Sequence, residues 1–132
     1  MSSSVDVLII GGGPAGLSTA LSLCRARHTA VVFDSGTYRN DLYSHMHAFP
    51  TWDHADPKKY REAARAELVG RYRTVQLVDL AVTTVVRTEK GTFVALDAQG
   101  KEWTGRKLVL ATGVKDEFPD IPGYSECWVK GM

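Results

Sequence analysis

Val5-Asp6-Val7-Leu8-Ile9-Ile10-Gly11-Gly12-Gly13-Pro14-Ala15-Gly16-Leu17 is the stretch on which the fold turns. Its first six residues are mostly branched and apolar and stop at three glycines, the pattern of a buried parallel strand ended by a tight turn. From Pro14 onward, Leu17, Ala20, Leu21 and Cys24 recur at helical spacing. Pro14 suits a first helical turn, where its missing N–H costs nothing. Arg25, Arg27 and His28 place positive charge where the helix dipole is negative. Ala30-Val31-Val32-Phe33-Asp34 reads as a second short strand, so the opening 34 residues form a strand, helix, strand unit.

Within that unit, Gly11-x-Gly13-x-x-Gly16 lies between strand and helix, and Asp34 follows eighteen residues after the last glycine. Gly11 permits the turn, Gly13 has no side chain to block a pyrophosphate, and Gly16 lets helix and strand backbones approach closely. The helix N-terminus offers free N–H groups and about half a positive charge to such a pyrophosphate. Asp34 is placed to accept hydrogen bonds from an adenosine ribose, and its charge disfavours a 2′-phosphate. Glycines in a strand-to-helix turn also occur for structural reasons alone. Strand, helix, second strand and terminal acid in register favour dinucleotide binding over that reading, and leave flavin and nicotinamide dinucleotides both open.

Outward from this unit, residues 35–55 carry Gly36, Asn40, His45, His47, His54, Pro50 and Trp52 without an apolar period. A loop of such length inside a domain points to a ligand. Asp56-Pro57 starts a second helix, with Tyr60, Ala63, Ala64 and Leu68 on one face and Gly70 as its expected stop. Thr74–Leu80, Val82–Thr88 and Thr92–Asp97 read as strands joined by short polar turns, hence as antiparallel hairpins. Glu102–Thr104 adds a meander strand, and Lys107–Ala111 returns to a buried strand ending at Thr112-Gly113. The expected layout is one domain over residues 1–132, with a cofactor-side loop (35–55), a β-meander (80–105) and an extended tail (114–132).

Composition sets the bounds. The 132 residues, 44% hydrophobic and 23% charged with a net charge of +1, suit one globular domain. They exclude a disordered tail and a binding module defined by charge. The apolar run Val5–Ile10 is interrupted by Asp6 and follows Met1-Ser2-Ser3-Ser4 without a basic lead, so no secretory signal or membrane span is expected and the expected location is cytoplasmic. Cys24, on the apolar face of the first helix, reads as a core residue, and Cys127 as a non-catalytic thiol. His45-x-His47 with His54 lacks a cysteine or carboxylate cluster at usual ligand spacing, so a polar loop and no metal site are expected. Lys58, Lys59, Arg61 and Arg65, interrupted by Glu62 and Glu67, read as a solvated helix face and not a nucleic-acid surface.

The glycine stretch, the distal Leu108-Val109-Leu110-Ala111-Thr112-Gly113 and the meander between them resemble the FAD domain of the class-II pyridine nucleotide-disulfide oxidoreductases, in their thioredoxin-reductase-like branch. More narrowly, Phe33-Asp34-Ser35-Gly36-x-Tyr38-Arg39-Asn40, His45-Met46-His47, Thr51-Trp52-Asp53-His54 and Asp116-x-x-Pro119-Asp120-Ile121-Pro122-Gly123-Tyr124 resemble the fungal gliotoxin-type dithiol oxidases of secondary metabolism. The resemblance implies an α/β, Rossmann-like FAD-binding domain: a parallel sheet with helices plus an antiparallel β-meander, incomplete relative to full-length relatives.

By position, it implies that FAD is held by Gly11, Gly13, Pro14, Ala15, Gly16, Asp34, Ser35, Ala111, Thr112 and Gly113. Arg39, Asn40 and His47 are the candidates from the loop. Ala48 stands where such relatives often carry asparagine. In those relatives the phrase Gly123 to Gly131 leads into an NADPH domain that opens with Cys-x-x-Cys; the 132 residues contain neither that dithiol nor a second glycine fingerprint. Dithiol exchange needs an attacking and a resolving thiol, and the two distant cysteines do not supply them. Two expectations follow. One is a flavin-dependent oxidoreductase, as a shortened form, a subunit or a fragment of a longer gene product, acting on a small thiol or other oxidisable metabolite. The other is a repurposed half-domain without redox turnover that acts as a binding or assembly partner or in a non-redox step on a metabolite. Either leaves an apolar flank to be covered by a homodimer or a partner chain, with Trp128, Val129 and Met132 as contact candidates.

Overall fold

A β-branched run on each side of the first helix builds the centre of the sheet. The computed structural model describes residues 4–130. The elements are β1 (Val5–Ile10), α1 (Pro14–Arg25), β2 (Ala30–Phe33), α2 (Pro57–Arg71), β3 (Val75–Val78), β4 (Val82–Arg87), β5 (Phe93–Asp97), β6 (Glu102–Leu110) and α3 (Tyr124–Cys127), with a 3-10 turn at Arg39–Leu42. The strands form one sheet in the order β3-β2-β1-β6-β5-β4. β1 lies parallel to β2 and to β6, and β2 parallel to β3. β5 runs antiparallel to β6 and to β4. This is the α/β sheet with an antiparallel extension that the sequence implies.

β1 and β2 are buried on both faces, as their unbroken apolar runs require. On one face Val7, Ile9, Ala30 and Val32 pack against Leu17 and Ala20 of α1 and Leu68 of α2. On the other, Leu8, Val31 and Phe33 meet Ala95 of β5, with the Phe33 and Trp103 rings edge to face at 5.5 Å. The meander therefore covers the face that a second helical layer covers in doubly wound folds.

Four expectations are corrected. β3 belongs to the parallel sheet beside β2 and not to a hairpin with β4, because α2 carries the chain back across the sheet before β3 begins. The two strands expected at 102–104 and 107–111 are one, β6, which pairs with β5 over Glu102–Gly105 and with β1 over Gly105–Leu110. Gly105 is the shared residue: a Cβ there would lie 2.6 Å from Leu8 Cγ, so it must be small for the Leu8 side chain to lie over the strand. α2 runs through Gly70 to Arg71, with the Tyr72 N–H closing on Leu68 O at 3.0 Å. The tail is not wholly extended, since Gly123, at φ +83, caps the start of α3, and Tyr124 on it and Trp128 just after it gather around Phe118. Trp128 is thus spent largely inside the tail; Val129 is exposed, and Met132 lies outside the described residues. Among the described residues no helix is long and apolar enough to cross a membrane.

Candidate functional site

The chain leaves β1, crosses through α1 to β2 on one side and returns at β6 on the other, so the carboxyl ends of β1 and β6 flank a switch in strand order. Crevices at such switches are where open α/β sheets bind ligands. Gly11 N–H donates to Phe33 O at 2.9 Å and Ala111 N–H to Ile10 O at 2.8 Å, tying the three strand ends together.

The glycines divide the labour as their surroundings dictate. Gly11 has φ +121, and a Cβ on it would collide with the Ala111 carbonyl. One on Gly16 would collide with the Gly11 carbonyl, which is how α1 comes so close to the turn. Gly13, the N-cap of α1 at φ −79, is the contrast: nothing lies within 4 Å of its Cβ position. No side chain caps the N-terminus of α1 and no acidic residue lies in its first turn. With Pro14 lacking an N–H, the amides of Ala15 and Gly16 have no capping side chain, in the turn beside the open space at Gly13, where the helix dipole is positive. That arrangement fits a pyrophosphate and nothing in it obstructs one.

The structure thus brings together Gly11, Gly13, Pro14, Ala15, Gly16, Asp34, Ala111, Thr112 and Gly113. Gly12 joins them, although the spacing motif passes over it: its Cβ would overlap the Asp34 carboxyl, so the acid packs directly against the glycine turn. Asp34 is only 4% exposed. Its Oδ1 accepts from Gly36 N–H at 2.9 Å, and its Oδ2 from the Tyr38 hydroxyl and from Arg65 Nη1 at 3.0 Å. Burial, and then the Asp34 carboxylate, push the Tyr38 phenol up to about 12, so it stays a protonated donor. Ser35 is exposed, its Oγ accepting from Thr37 N–H at 3.4 Å.

Arg61 and Arg65 correct the expectation of a solvated helix face. Arg61 is 7% exposed, its guanidinium 3.7 Å over the Tyr38 ring and donating to Asn40 Oδ1 and Asp41 Oδ1, both at 2.9 Å. Arg65 joins Asp34 to Asp79. Lys58 and Lys59 do remain exposed. The loop after β2 is therefore pinned by two arginines whose partners lie 20 to 31 residues away in sequence. A helix pattern alone carries no sign of such partners.

The three loop candidates are each engaged inside the chain. Arg39 makes a two-pronged contact with Asp116, Nε at 3.0 Å and Nη2 at 3.1 Å, which holds the Asp116 carboxyl below its usual range. Asn40 accepts from Arg61. His47 Nδ1 lies 3.2 Å from Asp53 Oδ1, in a turn of its own and in none of the contacts that tie the glycine turn to Asp34 and Ala111. Cys24 is buried on α1 and Cys127 is exposed on α3, both as free thiols.

The family model described as pyridine nucleotide-disulphide oxidoreductase matches residues 5–132. A protein named thioredoxin reductase aclD, from Aspergillus oryzae, is 60% identical over 128 residues, covering 96% of this chain and 40% of that protein. Thioredoxin reductase sirT from Leptosphaeria maculans is 47% identical over 127 residues, again 96% of this chain and 39% of that one. Among solved structures, an oxidoreductase from Agrobacterium tumefaciens superposes with a TM-score of 0.87 at 40% identity, over 94% of this chain and 41% of its own. The chain spans about 40% of the length of the curated relatives it matches.

Proposed function

We propose, for a chain that belongs to the pyridine nucleotide-disulphide oxidoreductase family, that residues 11–16 hold the pyrophosphate of FAD, the family's cofactor. The uncapped α1 N-terminus beside the empty space at Gly13 is the observation that carries this reading. The Ala15 and Gly16 amides, with the positive end of α1, balance the phosphate charge. Asp34 receives the adenosine ribose, and a ribose hydroxyl takes the place of the Tyr38 hydroxyl on Oδ2 while Arg65 keeps its own contact with that oxygen. Ser35 sits at the mouth of that subsite. Ala111, Thr112 and Gly113 form the opposite wall, where β6 ends against Gly11. Arg39, Asn40 and His47 act at one remove, by fixing the loop between Tyr38 and Ala55.

When bound, FAD supplies two-electron oxidation and reduction. The chain's own part is to bind and orient it. The proposed activity is that of a thioredoxin-reductase-like oxidoreductase of fungal secondary metabolism in the cytoplasm, acting on a small thiol or other oxidisable metabolite, with no residue of these 132 assigned as the catalytic thiol. Leu110, Val114 and Ile121 are 68%, 63% and 57% exposed where β6 runs into the tail. Apolar side chains so placed support a homodimer or a partner chain over this flank. They equally support the second reading, a half-domain that assembles without turnover.

The flavin content of the purified chain separates the two. A yellow protein with bound FAD near one equivalent is expected. Gly13→Leu, whose side chain enters only open space, should abolish that flavin while leaving the far-ultraviolet circular dichroism unchanged. Retention of flavin in Gly13→Leu would place the pyrophosphate elsewhere.

A further inference from the structure

Residues 46–55 close on themselves. Met46, 6% exposed, anchors the turn; its N–H donates to Ala55 O at 2.7 Å and its carbonyl accepts from His54 N–H at 2.8 Å. Phe49 and Trp52 pack edge to face on Tyr60 of α2, at 5.1 and 5.6 Å. The closed turn brings His47 and His54 together with their rings 4.6 Å apart and nearly perpendicular. Asp53 lies between them. Its Oδ1 is 3.2 Å from His47 Nδ1 and its Oδ2 is 3.4 Å from His54 Nε2, and the Ala48 N–H, at 3.1 Å from Oδ1, fixes the carboxylate. One ligating atom from each of the three residues falls within 4.8 Å of the others.

We propose that His47, Asp53 and His54 form a binding site for a borderline divalent transition metal of the Zn2+ and Co2+ type. Metal–ligand bonds of about 2.0–2.1 Å in a tetrahedral shell set neighbouring ligands about 3.3 Å apart. Each imidazole already lies at that distance from one oxygen of the Asp53 carboxylate, His47 from Oδ1 and His54 from Oδ2. One ligand atom from each residue lies within 4.8 Å of the other two, so small rotations of exposed side chains close the set on one ion. Two imidazoles and one carboxylate form the donor set that borderline cations take, whereas Ca2+ and Mg2+ ask for oxygen alone. The three side chains are 60%, 54% and 74% exposed, so the remaining coordination positions open to solvent and to an incoming donor. Sequence spacing hid the site because its third ligand is a lone aspartate next to His54, brought to His47 only by the closure of the turn. His45 lies apart, its Nδ1 2.8 Å from Ser44 Oγ, and serves as an internal control.

The test is titration of the untagged full chain with Co2+, read by the visible absorption of low-symmetry cobalt, followed by competition with Zn2+. The signal arises on the metal, so it is independent of flavin binding. One Co2+ per chain at micromolar metal is expected, displaced by Zn2+, with affinity reduced about tenfold or more in His47→Ala and in Asp53→Asn and unchanged in His45→Ala. His54 has φ +64; His54→Asn keeps a residue that tolerates this conformation and is expected to lose cobalt with its circular dichroism intact. The proposal is overturned if cobalt binds only at millimolar concentration, if it persists equally in folded His54→Asn, or if His45→Ala removes it.

Discussion

Two regions meet at the carboxyl edge of the sheet, and they are built from different materials. The glycine turn between β1 and α1 is mainly backbone packed on backbone, Gly11 against the Ala111 carbonyl and Gly16 against the Gly11 carbonyl, with Gly12 set against the Asp34 carboxyl. The loop from Tyr38 to Ala55 is held by charged and aromatic side chains, namely Arg61 on Asn40 and Asp41, Arg65 on Asp34, Arg39 on Asp116, and Asp53 between two histidines. Close backbone packing tolerates one residue type and so writes itself into the sequence. Side-chain pairing tolerates many, and its partners are chosen by the fold.

The largest effect should come from the first region. Gly16→Ala puts a methyl group into a carbonyl that cannot withdraw without moving α1 off β1, and it is expected to cost about 3 kcal/mol or more, a fall in melting temperature of about 10 °C for a chain of this size. Gly13→Ala, three residues earlier in the same motif, should melt within about a degree of the parent while weakening FAD. If Gly16→Ala were as harmless as Gly13→Ala, the division between packing glycine and ligand glycine would be lost.

Arg65→Met probes the junction of the two regions, since it leaves Asp34 buried with only Gly36 N–H and the Tyr38 hydroxyl. A loss of about 2 kcal/mol is expected in denaturant unfolding, with a larger loss of FAD affinity than of stability. Tyr38→Phe removes the donor that a ribose hydroxyl must displace, and should leave FAD binding equal or a few-fold tighter. A weaker complex in Tyr38→Phe would mean that the phenol contacts the cofactor itself.

Acid should separate the regions too. Asp53 is held below the usual aspartate value of 3.8, first by the Ala48 N–H and then by His47. A depressed carboxyl contributes stability that is fully present above that value and is lost as pH falls through the lower, folded one. Exchange protection of the Ala48 amide is therefore expected to hold down to the usual aspartate value of 3.8 and to be lost as the pH falls further, while the Gly11 amide, bonded to the Phe33 carbonyl, keeps its own. Simultaneous loss of both would make the loop and the glycine turn one cooperative unit.

The same contrast explains what the sequence disclosed. The strand, helix, strand unit and the glycine turn were legible because periodicity and glycine placement are local. Arg61 and Arg65 look like solvated residues in the sequence, because a helix-face arginine reads the same whether water receives it or, as here, Asn40 and Asp41 receive Arg61 and Asp34 receives Arg65. β3 reads as part of a hairpin because a strand's own residues do not name its neighbour; only the crossover through α2 does. β6 was split at Gly105, where a glycine needed for passage under Leu8 imitates a break. Asp53 escaped notice because a single carboxylate beside His54 resembles any loop acid until the turn closes.

The smallest effect belongs to Arg39→Ala. Its contact with Asp116 spans 77 residues and joins the loop to the tail, with the arginine side chain 56% exposed and the aspartate 26%. Exposed pairs contribute little and salt screens them, within about 3 Å at 1 M ionic strength against about 30 Å at 0.01 M. A slight destabilisation at low salt is expected, vanishing at 1 M, along with a return of the Asp116 carboxyl toward its usual range that carbon-detected NMR can follow. The two-pronged geometry still gives the pair a positioning role, because it fixes the direction in which the tail leaves Gly113. FAD affinity should therefore fall more than stability does. Equal falls, or a stability loss that persists in 1 M salt, would show that this contact belongs with the packed glycine turn and not with the side-chain loop.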